Sequence, residues 1–496
     1  MNKPMLNAYP DSIGGNLGEC VKFLQSPLIK DVFADFYVLP SVFESDLDRG
    51  FSVISYDLNK NVANSQDLSG LKNMGIGLKL DFVLNHASVQ SKQFQDVLEK
   101  GEASEYRDFF IDWNQFWDGY GDMTPEGYIE PKPEHIKDMF FRKPGLPFLM
   151  IPMPGDKSKP YWNTFYQEVK QVGSKLSFLG QMDLNIKSPV VWEFYEDTLK
   201  KLAGYGAKIV RLDAFAYASK EPGARNFMND PGTWDLLARV REIATSHNLT
   251  LLPEIHTEYR EKVHEKLADE GYLIYDFFMP GLLIHAIEKH NGEYILQWIS
   301  DILEKDLKTV NMLGCHDGIP LLDLRGLLPD DEIDDVIKII VERGGYVKDI
   351  LGSKNMYYQV NATYYSALGE NDNKMLLARA LQLFMPGKPQ IWYLDLFGGK
   401  NDYEAVKRSG AGGHKEINRT NITAEQAEAT LKSDLVIKQL ELLKFRNSCP
   451  AFGEGSVLTA EGSGHNLHIE WALNGNTAQL DVDFKAVSYT ISENRI

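Results

Sequence analysis

Four short segments end in residues that could do acid–base or nucleophilic chemistry. LDFVLNHAS closes on Asn85 and His86, AKIVRLDAFAY carries Arg211 and Asp213, LLPEIH carries Glu254, and NMLGCHDG carries His316 and Asp317. Each segment contains a short apolar run of the kind that forms a buried strand. Taken singly, an Asp at a strand end is more often a cap or turn residue, and a lone His more often a satisfied core residue than a ligand. Taken jointly, three acids and two histidines at strand ends are what a (β/α)8 barrel gathers at its C-terminal mouth.

Two carboxyl groups at such a mouth suit glycosyl transfer with retention. One stays ionised and attacks the anomeric carbon, and the other gives its proton to the departing oxygen, from ~5–5.5 Å away. Arg211 and Asp213 are two residues apart on a strand, so their side chains share a face. A guanidinium there would keep Asp213 anionic. Glu254 follows Pro253 and an apolar run, and partial burial is expected to raise its pKa as a general acid requires. Asp317 is expected to stabilise oxocarbenium character, and His86 and His316 to donate to sugar hydroxyls.

The elements that must position these groups are legible as alternating short apolar and longer amphipathic runs, the pattern of βαβ units around a parallel sheet. The predicted strands are Met5–Tyr9, Asp35–Leu39, Gly77–Asn85, Ala207–Asp213, Leu249–Glu254, Tyr272–Phe277, Val310–Gly314 and Pro389–Leu394. Helices are predicted over Trp192–Leu202, over Thr233–Thr245 and Asn373–Phe384 with their first residues as N-caps, and over Leu435–Arg446. The fold class is α/β, a TIM (β/α)8 barrel with inserted B and B′ subdomains and a small C-terminal β domain. Its parts are barrel over 1–86, domain B over 87–187, barrel over 188–317, domain B′ over 318–370, barrel over 371–447 and the β domain over 448–496. The aromatics of Trp113–Tyr120 are expected to form the core of domain B.

Composition narrows the partners. The 496 residues are 43% hydrophobic and 25% charged, as in an ordinary globular enzyme, with a formal net charge of −18. A negative surface repels nucleic acid and anionic lipid. The three cysteines, Cys20, Cys315 and Cys449, are too few and too widely spaced for a disulfide framework or a zinc site. No secretion signal or membrane-spanning run is read, so the expected location is the cytoplasm. GAGGHK lacks the spacing of a phosphate-binding loop.

With these residues in hand the chain resembles glycoside hydrolase family 13, the α-amylase family, and within it the sucrose phosphorylase subgroup. VLNHAS, VRLDAFAY, LPEIH and LGCHDG are the broad motifs, and RKPGLPF, QMDLN, YQVNATYYSALGENDN, GKNDYEA and EINR are the narrower ones. The resemblance implies Asp213 as nucleophile, Glu254 as acid/base and Asp317 as transition-state stabiliser. It implies that His86, His316 and Arg211 line the glucose site and that Asp48 and Arg419 grip its far side. Phe165, Gln181 and Tyr217 complete the wall. Lys143, Met356, Tyr357, Tyr358, Gln359 and Asp395 fall on the acceptor and phosphate side. Phosphate is implied as co-substrate, with no cofactor and no metal, and a homodimer is left open.

Departures from the subgroup fall on the acceptor half. Lys143 stands where Arg is usual before PGLPF, Met356 and Tyr357 where an Asp-Leu pair is usual, and Asp395 where glycine is usual. A phosphorylated acceptor would need cations that Met356 and Tyr357 do not supply, whereas a small polyol would not. The expected reaction is therefore phosphorolysis of 2-O-α-glucosylglycerol. The alternatives are phosphorolysis of sucrose, sucrose 6-phosphate or glucosylglycerate, hydrolysis by an α-glucosidase, and a non-catalytic sugar-binding barrel.

Overall fold

The computed structural model describes residues 3–142, 144–155, 157–165, 167–172, 175–349, 357–409 and 413–496. Eight strands form one sheet: β1 (Met5–Ala8), β2 (Asp35–Val38), β3 (Gly77–Val83), β4 (Ala207–Asp213), β5 (Thr250–Pro253), β6 (Ile274–Asp276), β7 (Thr309–Met312) and β8 (Lys388–Trp392). Their order is β5-β4-β3-β2-β1-β8-β7-β6, each strand beside its neighbour in sequence, which is a nearly closed (β/α)8 barrel. All eight predicted strands are present. β3 explains why the apolar signal is strong: its seven residues are all buried, even Lys79 and Asp81.

Boundaries differ where local chemistry overrides the pattern. The run to Leu394 stops at Trp392, because Tyr393–Leu396 turn into a helix. Thr233 is not an N-cap. Its helix, Gly232–Ser246, starts after Pro231, and the Thr233 hydroxyl is buried within the first turn. The next helix is Asp372–Phe384, capped by Asn371 rather than Asn373, with the Asn371 side chain accepting from Lys374 N at 3.1 Å. The helices at Pro189–Gly204 and Asp434–Ser448 lie where predicted, the first with proline at its first position.

The chain gathers into two compact units. One comprises Met1–Val38, Gln66–Leu78 and His256–Ile496, and the other Leu39–Ser65 and Lys79–Ile255. In the second unit, Trp113, Trp117, Trp162, Ile111 and Ile129 form a buried core. The aromatic-rich segment is thus structural packing, as its composition predicted. In the first unit, Val457–Ser463, Asn466–Leu473, Asn476–Asp483 and Ser488–Asn494 form a four-stranded antiparallel sheet. Leu467, Ile469 and Trp471 alternate inward, and Trp471 Nε1 donates to Phe384 O at 2.8 Å. Also in this unit, Ile319–Pro320, Tyr346–Asp349 and Tyr357–Asn361 form a small antiparallel sheet.

Candidate active site

At the ends of β4 and β5 a single guanidinium holds three carboxylates. Arg211 Nη1 contacts Asp213 Oδ1 at 3.0 Å and also binds Asp81, while Nη2 contacts Glu254 Oε1 at 2.9 Å. Arg211 is 2% exposed, and its Cζ lies 5.3 Å from the Phe51 ring centroid. The Arg211–Asp213 pair follows from the two-residue strand repeat. Glu254 is partly buried, as expected, and its carboxyl also lies against Arg211, a contact that favours the anion. Ala214, immediately after Asp213, adopts φ +53°, a left-handed conformation of the sort that clusters at functional sites.

His86 opens the strand His86–Ser88, where it pairs across an antiparallel register with Asp183. Its Nε2 lies 3.1 Å from Phe51 O and its Nδ1 3.3 Å from Asn85 Nδ2. Burial, only partly offset by Asp183 and the Phe51 carbonyl, pushes its pKa down to about 4, so the ring is neutral. Both ring nitrogens thus have protein partners. Behind it lies a buried ion pair, Lys220–Asp183 at 2.9 Å. Gln181 Nε2 also donates to Phe51 O, at 3.4 Å.

Phe165 stands beside His86 and Tyr217, with centroids 4.9 and 5.1 Å away. Arg142 lies against this wall. Its Cζ is 5.0 Å from the Phe165 centroid and 5.6 Å from that of Tyr217, and its Nη1 donates to the Tyr217 hydroxyl at 2.8 Å. Asp48 is exposed on a turn in which Asp48, Arg49 and Gly50 take φ of +51°, +48° and +116°. A Cβ at Gly50 would lie 2.2 Å from Ser41 N, so only glycine fits.

In the other unit the segment after β7 is pinned along its backbone. Asp395 Oδ2 accepts from Gly314 N at 2.7 Å, Asn418 Nδ2 donates to Cys315 O and Asp317 O at 3.0 and 2.8 Å, and Arg419 Nε donates to His316 O at 2.7 Å. Around Asp317 stand His316 at 3.2 Å, Lys415 at 2.7 Å and Arg419 at 3.7 Å. Burial opposes the charge on Asp317 most strongly, yet these three cationic groups hold its carboxyl well below the usual range. Asp395 is misplaced on the acceptor side. It is 1% exposed, and burial pushes its pKa up to about 6 although Arg379 and two backbone amides favour the anion. It supports the backbone before Asp317 instead of facing an acceptor. Gln359 is buried in the strand Tyr357–Asn361, which also contains Tyr357 and Tyr358. Lys143 and Met356 lie outside the described residues. Among the described residues no group of three or more His, Cys, Asp or Glu could hold a metal ion, and no helix is long and apolar enough to cross a membrane.

A model of the α-amylase catalytic domain matches residues 56–311. The chain belongs to the α-amylase family. It is 54% identical to a sucrose 6(F)-phosphate phosphorylase of Ilumatobacter coccineus, over 99% of this chain and 95% of that protein. A glucosylglycerol phosphorylase of Marinobacter adhaerens is 29% identical, over 99% and 97%. The crystal structure of a sucrose 6F-phosphate phosphorylase from Thermoanaerobacter thermosaccharolyticum superposes with a TM-score of 0.89 at 33% identity, covering 100% of this chain and 96% of that one. Within the α-amylase family the protein therefore falls among the sucrose phosphorylase-like glycoside phosphorylases, retaining enzymes that transfer a hexosyl group. An α-amylase from H. orenii, at 16% identity and a TM-score of 0.64, shares the fold.

Several residues that the structure places against the predicted ones escaped the sequence reading. Asp81 hides in the apolar strand β3. Asp183 sits in QMDLN, where only the motif was noted. Lys220 follows Tyr217 by three residues, Lys415 precedes EINR, and Arg142 is one place before the position where a cation was sought.

Proposed function

We propose that the protein transfers glucose, with retention, from sucrose 6F-phosphate to inorganic phosphate, yielding α-glucose 1-phosphate and fructose 6-phosphate. Asp213 attacks the anomeric carbon while Glu254 protonates the departing fructosyl oxygen. Phosphate then attacks the glucosyl–Asp213 ester, and Glu254 takes the proton of the incoming oxygen. The shared guanidinium supports this division of labour. It limits how far apart the two carboxyls can sit, on the order of the ~5–5.5 Å that retention uses. It also lies against Asp213 at 3.0 Å and so favours the Asp213 anion. His86, Gln181, Phe165, Tyr217 and Asp48 are assigned to the glucosyl site, and Asp317, His316 and Arg419 take the roles their motifs imply. The reaction needs no cofactor, and the proposed location is the cytoplasm.

The observation that carries the acceptor assignment is Arg142, whose guanidinium lies on the Phe165–Tyr217 wall. It supplies the cation that the sequence argument found missing for a phosphorylated acceptor, in the side chain best shaped for a phosphate. The 54% identity to a sucrose 6(F)-phosphate phosphorylase supports the same reading. Glycerol is the second reading, favoured by Met356, Tyr357 and the 29% identical glucosylglycerol phosphorylase. Phosphate release from α-glucose 1-phosphate, measured with fructose 6-phosphate, fructose, glycerol, glycerate or water alone, tests the assignment. Release fastest with fructose 6-phosphate supports it, release requiring glycerol replaces it, and release with water alone overturns phosphorolysis.

A further inference from the structure

The buried polar groups behind His86 form a closed set of hydrogen bonds. Lys220 has three protons and no acceptor. Its ammonium meets three acceptors: Asn85 Oδ1 at 2.9 Å, Asp183 Oδ2 at 2.9 Å and the Tyr217 carbonyl. Asp183 is 0% exposed and receives Asn85 Nδ2 at 3.0 Å, with Thr164 Oγ1 and N at 2.6 and 2.8 Å. A donor-only ammonium on one side and an acceptor-only carboxylate on the other leave the Asn85 amide one orientation, oxygen to Lys220 and nitrogen to Asp183. The second Asn85 N–H then points to His86 Nδ1, 3.3 Å away. That nitrogen must be the acceptor, so the ring proton is on Nε2, which lies 3.1 Å from the Phe51 carbonyl.

We propose that Lys220 and Asn85 are positioning residues that lock His86 as the neutral Nε2–H tautomer, donating to the Phe51 carbonyl. The lock rests on the reading of this unit as the glucosyl half of the site. Its consequence reaches the carboxylates, because the Phe51 ring lies on the Arg211 guanidinium that binds Asp213 and Glu254. His86 therefore contributes a fixed ring face beside Phe165 and a fixed Phe51, not a mobile proton. Fixing which ring nitrogen carries the proton through the other nitrogen's partner is a general use of histidine.

The test is spectroscopic. Protein labelled with 15N-histidine is examined by long-range proton–nitrogen correlation, and the His86 signals are assigned by their loss in His86→Gln. The wild-type ring is expected to show a protonated Nε2 and a bare Nδ1. A protonated Nδ1, or an imidazolium, at neutral pH overturns the proposal. Asn85→Asp replaces the donating amide by a carboxylate, so the ring is expected to take a proton on Nδ1 and kcat to fall by about tenfold, the effect of one misdirected buried hydrogen bond. An Asn85→Asp ring still bare at Nδ1 also overturns it. His86→Gln can still donate to the Phe51 carbonyl and is expected to retain more activity than His86→Leu. If both variants lose activity equally while the wild-type ring is Nε2–H, the glucosyl-site reading fails and the tautomer assignment stands.

Discussion

Replacing Arg142 by alanine separates recognition of a phosphorylated acceptor from support of the site wall. The guanidinium now makes two ring contacts and a 2.8 Å bond to the Tyr217 hydroxyl. Each ring contact is worth ~0.5–1 kcal/mol. Their loss penalises every acceptor alike, because the wall is common to all of them. A charged hydrogen bond to a phosphate is worth about 1.5–3 kcal/mol, and only a phosphorylated acceptor forgoes it. For Arg142→Ala, kcat/KM for fructose 6-phosphate should fall about ten- to a hundredfold further than kcat/KM for fructose. The assay is phosphate release from α-glucose 1-phosphate, with saturation curves for both acceptors on both proteins. Equal losses for the two acceptors would refute the reasoning and leave Arg142 a structural residue of the wall.

Three further outcomes follow from the same geometry. Glu254→Gln keeps the shape but cannot move a proton, so kcat should drop by about 10²–10⁴ with little change in melting temperature; a loss below tenfold would remove Glu254 from acid–base work. Trp162→Ala empties a fully buried site against Trp113, Trp117 and Phe116, and should cost ~3–5 kcal/mol in denaturant titrations. Asp276 is buried, and burial pushes its pKa from 3.8 to about 6 although Trp298 and backbone amides favour the anion. The folded chain thus binds its proton more tightly than the unfolded one, and ionisation costs stability that grows as pH rises from about 4 to about 6. Relative to wild type, Asp276→Asn should become more stable over that interval by at most about 3 kcal/mol, on top of a pH-independent loss of one acceptor; a flat difference would contradict this.

The barrel was legible because its strands are largely buried and carry short apolar runs, such as DFYV in β2 and TLLP in β5. Arg211 and Asp213 were legible because a strand repeats every two residues. What escaped depends on contacts far apart in sequence. Lys220 meets Asn85 from 135 residues away, and Asn85 meets Asp183 from 98 residues away, and neither separation leaves a periodic trace. Asp395 was placed on the acceptor side because it stands where the resembled subgroup carries glycine in a motif of that half. The helical turn at Tyr393–Leu396 instead carries it into the core near Arg379. The expectation of glycerol rested on Met356 and Tyr357, which bring no cation; Arg142, on another segment against Phe165, was not weighed.

Phosphorolysis itself is the most direct test of the account. Sucrose 6F-phosphate, sucrose and 2-O-α-glucosylglycerol would each be incubated with the protein and inorganic phosphate, and the products followed by proton and phosphorus NMR. The account predicts α-glucose 1-phosphate and fructose 6-phosphate in equal amounts, with the α configuration kept and the highest kcat/KM for sucrose 6F-phosphate. Free glucose formed at a rate independent of phosphate, or β-glucose 1-phosphate as the first product, would contradict it.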